Sequence, residues 1–101
     1  MHHTNSLLVW SDDGGSEVQQ PCHSRFSNDH QHLIIEYKHE DELWLYRGEL
    51  KAGKTFEMRC DSPHYFLVGT FTHQGDNFYE GRWLQEQNGV KTSGEWWLDV
   101  A

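Results

Sequence analysis

The sequence predicts a mainly β protein, an antiparallel meander of six or seven strands rolled into a half-barrel or barrel. Three observations lead there. From Leu33 onward, apolar residues recur at every second position, the period of a strand with one buried face. Turn chemistry punctuates that run, Asn88-Gly89 being the strongest signal because both central residues of a type I′ turn need positive φ. The chain of 101 residues also holds five Trp, four Tyr and five Phe. Each ring buries roughly 150–250 Å², so a chain of modest apolar content still has material for a core. The length makes 1–101 a single domain.

The elements follow in chain order. Leu7–Trp10 is a candidate first strand. Residues 11–32 carry Val18 and Phe26 as their only large apolar residues and read as a polar loop or short helix. A helix within 14–28 would make the fold α+β. The strand meander then occupies 33–100, beginning with Leu33–Tyr37. Next, Lys51-Ala52-Gly53 suits a three-residue hairpin loop that sets Gly48 opposite Phe56, Tyr46 opposite Met58 and Trp44 opposite Cys60. His73-Gln74-Gly75-Asp76 reads as a four-residue loop, which pairs Phe66 with Trp83, Val68 with Gly81 and Thr70 with Tyr79. The Asn88-Gly89 turn pairs Gln87 with Val90 and, further along, Glu86–Lys91, Trp83–Gly94, Arg82–Glu95 and Gly81–Trp96. Opposite charges meet twice in this last register, and twice a Trp covers a bare glycine backbone.

These registers divide the aromatic residues between two faces. Trp44, Tyr46, Phe56, Met58, Phe66, Tyr79, Trp83 and Trp96 fall inside and are the candidate lining for a small, largely apolar ligand. Tyr65, Leu67, Phe71, Phe78, Leu84 and Trp97 collect outside, where a soluble sheet ordinarily turns polar. That patch predicts a homodimer, since a two-fold interface needs only one self-complementary surface.

Two local likenesses touch parts of this region. Gly69-Thr70-Phe71 through Tyr79-Glu80-Gly81-Arg82-Trp83 resembles a MORN repeat, although Gly89 and Gly94 fall too late for a following one. Asp41 through Leu50 resembles the end of the first cupin motif, and Gly53 to His64 has the spacing of the second. Arg59 and Asp61 stand where that second motif has Pro and Gly, so neither family is assigned. The cupin likeness implies a metal-dependent enzyme, with His39, Glu42 and His64 as its ligand set and His30 and His32 as loop alternatives.

Other chemistry is sparse. The eight histidines include no pair at structural-zinc spacing. Cys60, within a strand, reads as a buried and inert thiol, whereas Cys22 lies in the polar segment beside His23. No nucleophile elbow and no phosphate-cradling glycine loop occurs, and Glu40-Asp41-Glu42 reads as a solvated turn. A formal charge of -8 opposes nucleic acid and anionic membrane surfaces. It suits an acidic inhibitor or immunity-type protein covering a basic partner as an alternative function. Without a signal peptide or apolar span, the expected location is cytoplasmic, and no cofactor is implied. The reading that gathers most of these features is a non-catalytic binding module.

Overall fold

A computed structural model describes residues 2–13, 15–60 and 66–101. Its eight strands, β1 (His2–Asp12), β2 (Glu17–Phe26), β3 (His32–His39), β4 (Glu42–Ala52), β5 (Thr55–Cys60), β6 (Phe66–Gly75), β7 (Phe78–Gln87) and β8 (Val90–Asp99), form a closed antiparallel barrel. Each strand pairs with its neighbours in sequence, and β1 pairs with β8 to close the wall. Eight strands enclose a lumen just wide enough for side chains or one small guest. No helix among the described residues is long and apolar enough to cross a membrane.

The strand count and the expected helix are corrected together. Residues placed in a polar loop or helix form β2, which lies between β1 and β3. Its inward positions are Cys22, Ser24 and Phe26, all buried. Ser24 tolerates burial because its hydroxyl shares a 2.6 Å hydrogen bond with the equally buried Ser6, which also accepts the Ala101 backbone N–H at 3.2 Å. Pro21 fits within a strand for a related reason. The β2–β3 ladder covers only His23–Phe26 against Leu33–Glu36, so at Pro21 the strand is paired on one side alone.

The β7–β8 register is the one expected, from Gln87↔Val90 through Gly81↔Trp96 to Tyr79↔Leu98. The β4–β5 pairing sits two residues away from expectation, with Gly48 opposite Met58 and Tyr46 opposite Cys60. A bulge between Leu50 and Ala52 lets the strands run on to a tight turn at Gly53-Lys54. Two residues is one full pleat, so inward residues stay inward. The β6–β7 register is displaced by three, Gly69 facing Trp83 instead of Phe66 doing so. Its turn is Asp76-Asn77, with Asp76 at φ 46°, and β6 extends through His73, Gln74 and Gly75, which were expected in the loop. An odd displacement exchanges the faces of β6. Leu67 and Phe71 are therefore core residues, 5% and 0% exposed, and Phe66 lies outside at 56%.

The core occupies the lumen and includes Leu8, Leu33, Ile35, Tyr46, Met58, Phe71, Trp83, Trp96 and Leu98. Glycine is required where strands approach most closely. A Cβ on Gly94 would overlap the Ser11 carbonyl oxygen across the β8–β1 seam, and one on Gly81 would overlap that of Thr70. Outside, Arg82 donates two 3.1 Å bonds from one Nη to the Asp13 carboxylate and lies 3.6 Å from Glu95, fastening the β1–β2 turn to β7 and β8. The bond from the Ser93 hydroxyl, and then those from Arg82, hold the Asp13 carboxyl below its ordinary range.

Candidate functional site

Alternation along each strand sends aromatic rings to both ends of the lumen, and the two ends use them differently. At the end where β2 meets β3, Phe26 touches His3, His30, Phe56 and Tyr79, with ring centroids 5.8–6.1 Å apart. His73 packs on Tyr79 at 4.9 Å, and its Nε2 lies 2.6 Å from the Asp76 carbonyl. Rings plug that end.

Toward the other end a recess of about 180 Å³ remains, lined by Leu8 and Trp10 of β1, Tyr37 and His39 of β3, Trp44 and Tyr46 of β4, Trp83 and Gln85 of β7, and Trp96 of β8. No residue of β2 contributes. Above the last β2–β3 pair, His23↔Glu36, Trp10 and Tyr37 meet instead, their rings 6.0 Å apart and within 21° of parallel. Trp44 continues the column at 6.1 Å and 9° from Tyr37. Deeper in the recess, Trp96 stacks on Phe71 at 4.4 Å and meets Tyr46 edge-on.

The polar atoms of Tyr37, Tyr46, Trp83 and Trp96 are turned into the wall. The Tyr37 and Tyr46 hydroxyls bond to each other at 2.8 Å. The Trp96 indole N–H donates to the Thr70 carbonyl at 2.7 Å, and that of Trp83 to Glu95 at 3.3 Å. Ring carbon is what the recess offers, with the Gln85 amide and the His39 imidazole as adjustable polar groups. Around the mouth, the turns after β1 and β3 and the strand ends beside them carry Asp12, Asp13, Glu17, Glu40, Asp41 and Glu42, with Lys38 before the second of these turns and Lys91 beside the β7–β8 turn. Glu40 and Asp41 hold φ of 52° and 64°, left-handed values that cost non-glycine residues free energy.

Of the eight side chains expected inside, Trp44, Tyr46, Trp83 and Trp96 share this recess. Phe56 and Tyr79 belong to the plug, Met58 is buried against Gly48, and Phe66 is external. Leu8, Trp10, Tyr37, His39 and Gln85 complete the lining without having been expected there. The signal for two of them was present, since Leu33-Ile34-Ile35-Glu36-Tyr37-Lys38-His39 alternates through to His39. Of the expected outer patch, Phe78, Leu84 and Trp97 do face outward, at 38% and 41% exposure for the first two. Leu67 and Phe71 do not, and Tyr65 lies outside the described residues.

A broader depression of about 860 Å³ lies on the outside of β3–β6, bordered by Arg47, Glu49, Lys51, Glu57 and Arg59. Like charges face each other there, Arg47↔Arg59 and Glu49↔Glu57. Such a surface is well solvated, and the apolar recess is the better candidate site.

The expected metal set does not assemble among the described residues. His39 stands opposite Glu42, His64 lies outside the described residues, and no group of three His, Cys, Asp or Glu side chains converges. The cysteine expected to be buried, Cys60, is the more exposed of the two. Cys22 is buried, which pushes its thiol up to about 12, and Cys60 is half-buried. Comparison with known protein families, curated proteins and solved structures finds no match.

Proposed function

We propose that this chain is a non-catalytic binding module whose aromatic recess takes one small ligand with a largely apolar surface. The observation that carries the reading is a 180 Å³ space, walled by tryptophan and tyrosine, at one end of a lumen that is otherwise filled. A dry cavity of about 150 Å³ accepts a single benzene-sized ring, so the guest is of that order. Gln85 and His39 supply polar contacts to the guest. Calorimetric titration with indole tests the reading directly. A saturable change supports it, and a flat response to millimolar indole, with the near-ultraviolet dichroism of the folded chain intact, removes it.

A second reading concerns the outer face of the seam. Val9 pairs with Trp97, and Leu7 shares a transverse row with Asp99 and Phe78, so apolar side chains from β1, β7 and β8 lie together outside. We propose self-association through this face, with Trp97 as its anchor. Sedimentation tests it: a dimer at micromolar concentration that Trp97→Glu dissociates is expected, and a monomeric wild type overturns it.

A further inference from the structure

We infer that the recess selects a small organic cation, a methylated ammonium, over a neutral molecule of the same shape. This deepens the ligand-site reading and rests on it.

Three features point the same way. The lining brings six aromatic rings from β1, β3, β4, β7 and β8 around one small space. An aromatic ring carries negative potential on its face, and a cation within about 6 Å of the centroid is attracted to it. Conversely, the indole N–H groups of Trp83 and Trp96 are spent on backbone carbonyls and one tyrosine hydroxyl donates to the other, so these donors are turned away from a guest. The second feature is the field at the mouth. Asp12, Glu17, Glu40, Asp41 and Glu42 stand in or beside its turns and outnumber Lys38 and Lys91 there, Arg82 is already engaged by Asp13 and Glu95, and the whole chain has a formal charge of -8. Charge of one sign around a low-dielectric cleft raises the local concentration of the opposite ion. The third feature is size and hydration. The 180 Å³ recess has room for a trimethylammonium head, whose methyl groups give it an apolar surface. A primary ammonium with three hydrogen-bond donors would leave water for a site with few acceptors, at a desolvation cost.

The test compares choline with 3,3-dimethylbutan-1-ol, in which carbon replaces the charged nitrogen, and uses indole as a neutral aromatic control. Binding to the full chain is read by calorimetry, and for choline and the alcohol also by tryptophan emission. Choline is expected to bind about tenfold or more tighter than the alcohol, as a desolvated cation–π contact provides. Trp10→Leu and Trp44→Leu should each weaken choline by roughly threefold to thirtyfold. Should either variant unfold, Gln85→Lys supplies the alternative, since a fixed positive charge on the lining should abolish the preference for choline. Equal or tighter binding of the alcohol, or an unchanged preference in folded Gln85→Lys, overturns the cation inference. Binding of indole alone also overturns it while leaving the ligand-site reading in place. Failure of all three compounds to bind the folded chain overturns both.

Discussion

The two ends of this barrel are built from the same kinds of side chain and reach opposite results. At one end Phe26 sits at the centre of a ring cluster, beneath a β2–β3 turn pinned by Ser27, Asp29 and Gln31. The Ser27 hydroxyl donates to Asp29 at 2.6 Å, and the Gln31 backbone N–H donates to the same carboxylate oxygen at 3.1 Å. At the other end the β2–β3 ladder has already stopped, Trp10 meets Tyr37 from either side of the departing strand, and a recess persists. Ring content does not distinguish a plug from a pocket here. What differs is the place of β2: Phe26 sits at the centre of the plug, whereas no β2 residue lines the recess, where Trp10 and Tyr37 meet beyond the last β2–β3 pair.

The comparison can be broken most severely at the seam. Gly94→Ala places a methyl group on the Ser11 carbonyl oxygen, so β1 and β8 must separate beside the recess. A loss of more than about 4 kcal/mol is expected in urea unfolding, the range reached when a core or closure fails outright. Next comes a direct contrast of the ends. Phe26→Ala should cost about 3–4 kcal/mol as a buried ring becomes a cavity. Trp10→Ala, half-exposed at the mouth, should cost about 1–2 kcal/mol despite the larger side chain. Equal costs would show that the recess end is as tightly packed as the plug.

Cys22 probes the parting of β2 from β3, because it lies one residue beyond the last pair of their ladder. Its thiol is held up to about 12 by burial, whereas an unfolded cysteine titrates near 8.5–9. The folded chain therefore retains the proton longer. The corresponding stability is complete below about pH 8.5 and is lost as pH rises toward 12, amounting to about 2 kcal/mol by pH 10.5. Cys22→Ala should flatten that alkaline decline. Thiol labelling at neutral pH should modify Cys60 first and reach Cys22 only at the rate of global unfolding. Rapid labelling of Cys22 would mean that the split opens on its own. The smallest expected effect sharpens the comparison from the opposite side. Asp41→Gly relieves a left-handed residue at φ 64° in the turn beside the mouth and should raise stability by about 1 kcal/mol.

How far the sequence revealed these differences depended on what each strand needed from afar. The Asn88-Gly89 turn carries its whole register locally, with both residues at positive φ as type I′ requires, and every expected β7–β8 pair is present. The β4–β5 and β6–β7 turns gave the right hairpins and the wrong count, since a bulge or a strand that runs through Gly75 leaves no mark that residue types alone reveal. Parity decided the consequence: an even error left Tyr46 and Phe56 inside, and an odd one moved Leu67 and Phe71 from surface to core. β2 was illegible because Ser24 makes a good interior residue only once Ser6, eighteen positions earlier, supplies its hydrogen bond. The recess was half legible for the same reason. Trp83 and Trp96 come from one hairpin, but Trp10 joins them only when β1 pairs with β8.

That seam also governs the order in which the barrel can be assembled. Seven of the eight ladders join strands adjacent in sequence and need only short loops, so they can zip as hairpins. The eighth brings Val9 to Trp97 across roughly ninety residues of chain. Closing so long a loop costs about 2 kcal/mol more than closing one of ten residues, and the contacts that repay it arrive only when closure is complete. Substitutions at Val9 and Trp97 should therefore change the unfolding rate and leave the folding rate nearly untouched, with φ-values near zero. Values near one would mean that the ends of the chain find each other first. With closure late, the lifetime of the folded barrel is set at its seam, and variants that tighten β1 against β8 should lengthen it while leaving the folding rate nearly unchanged.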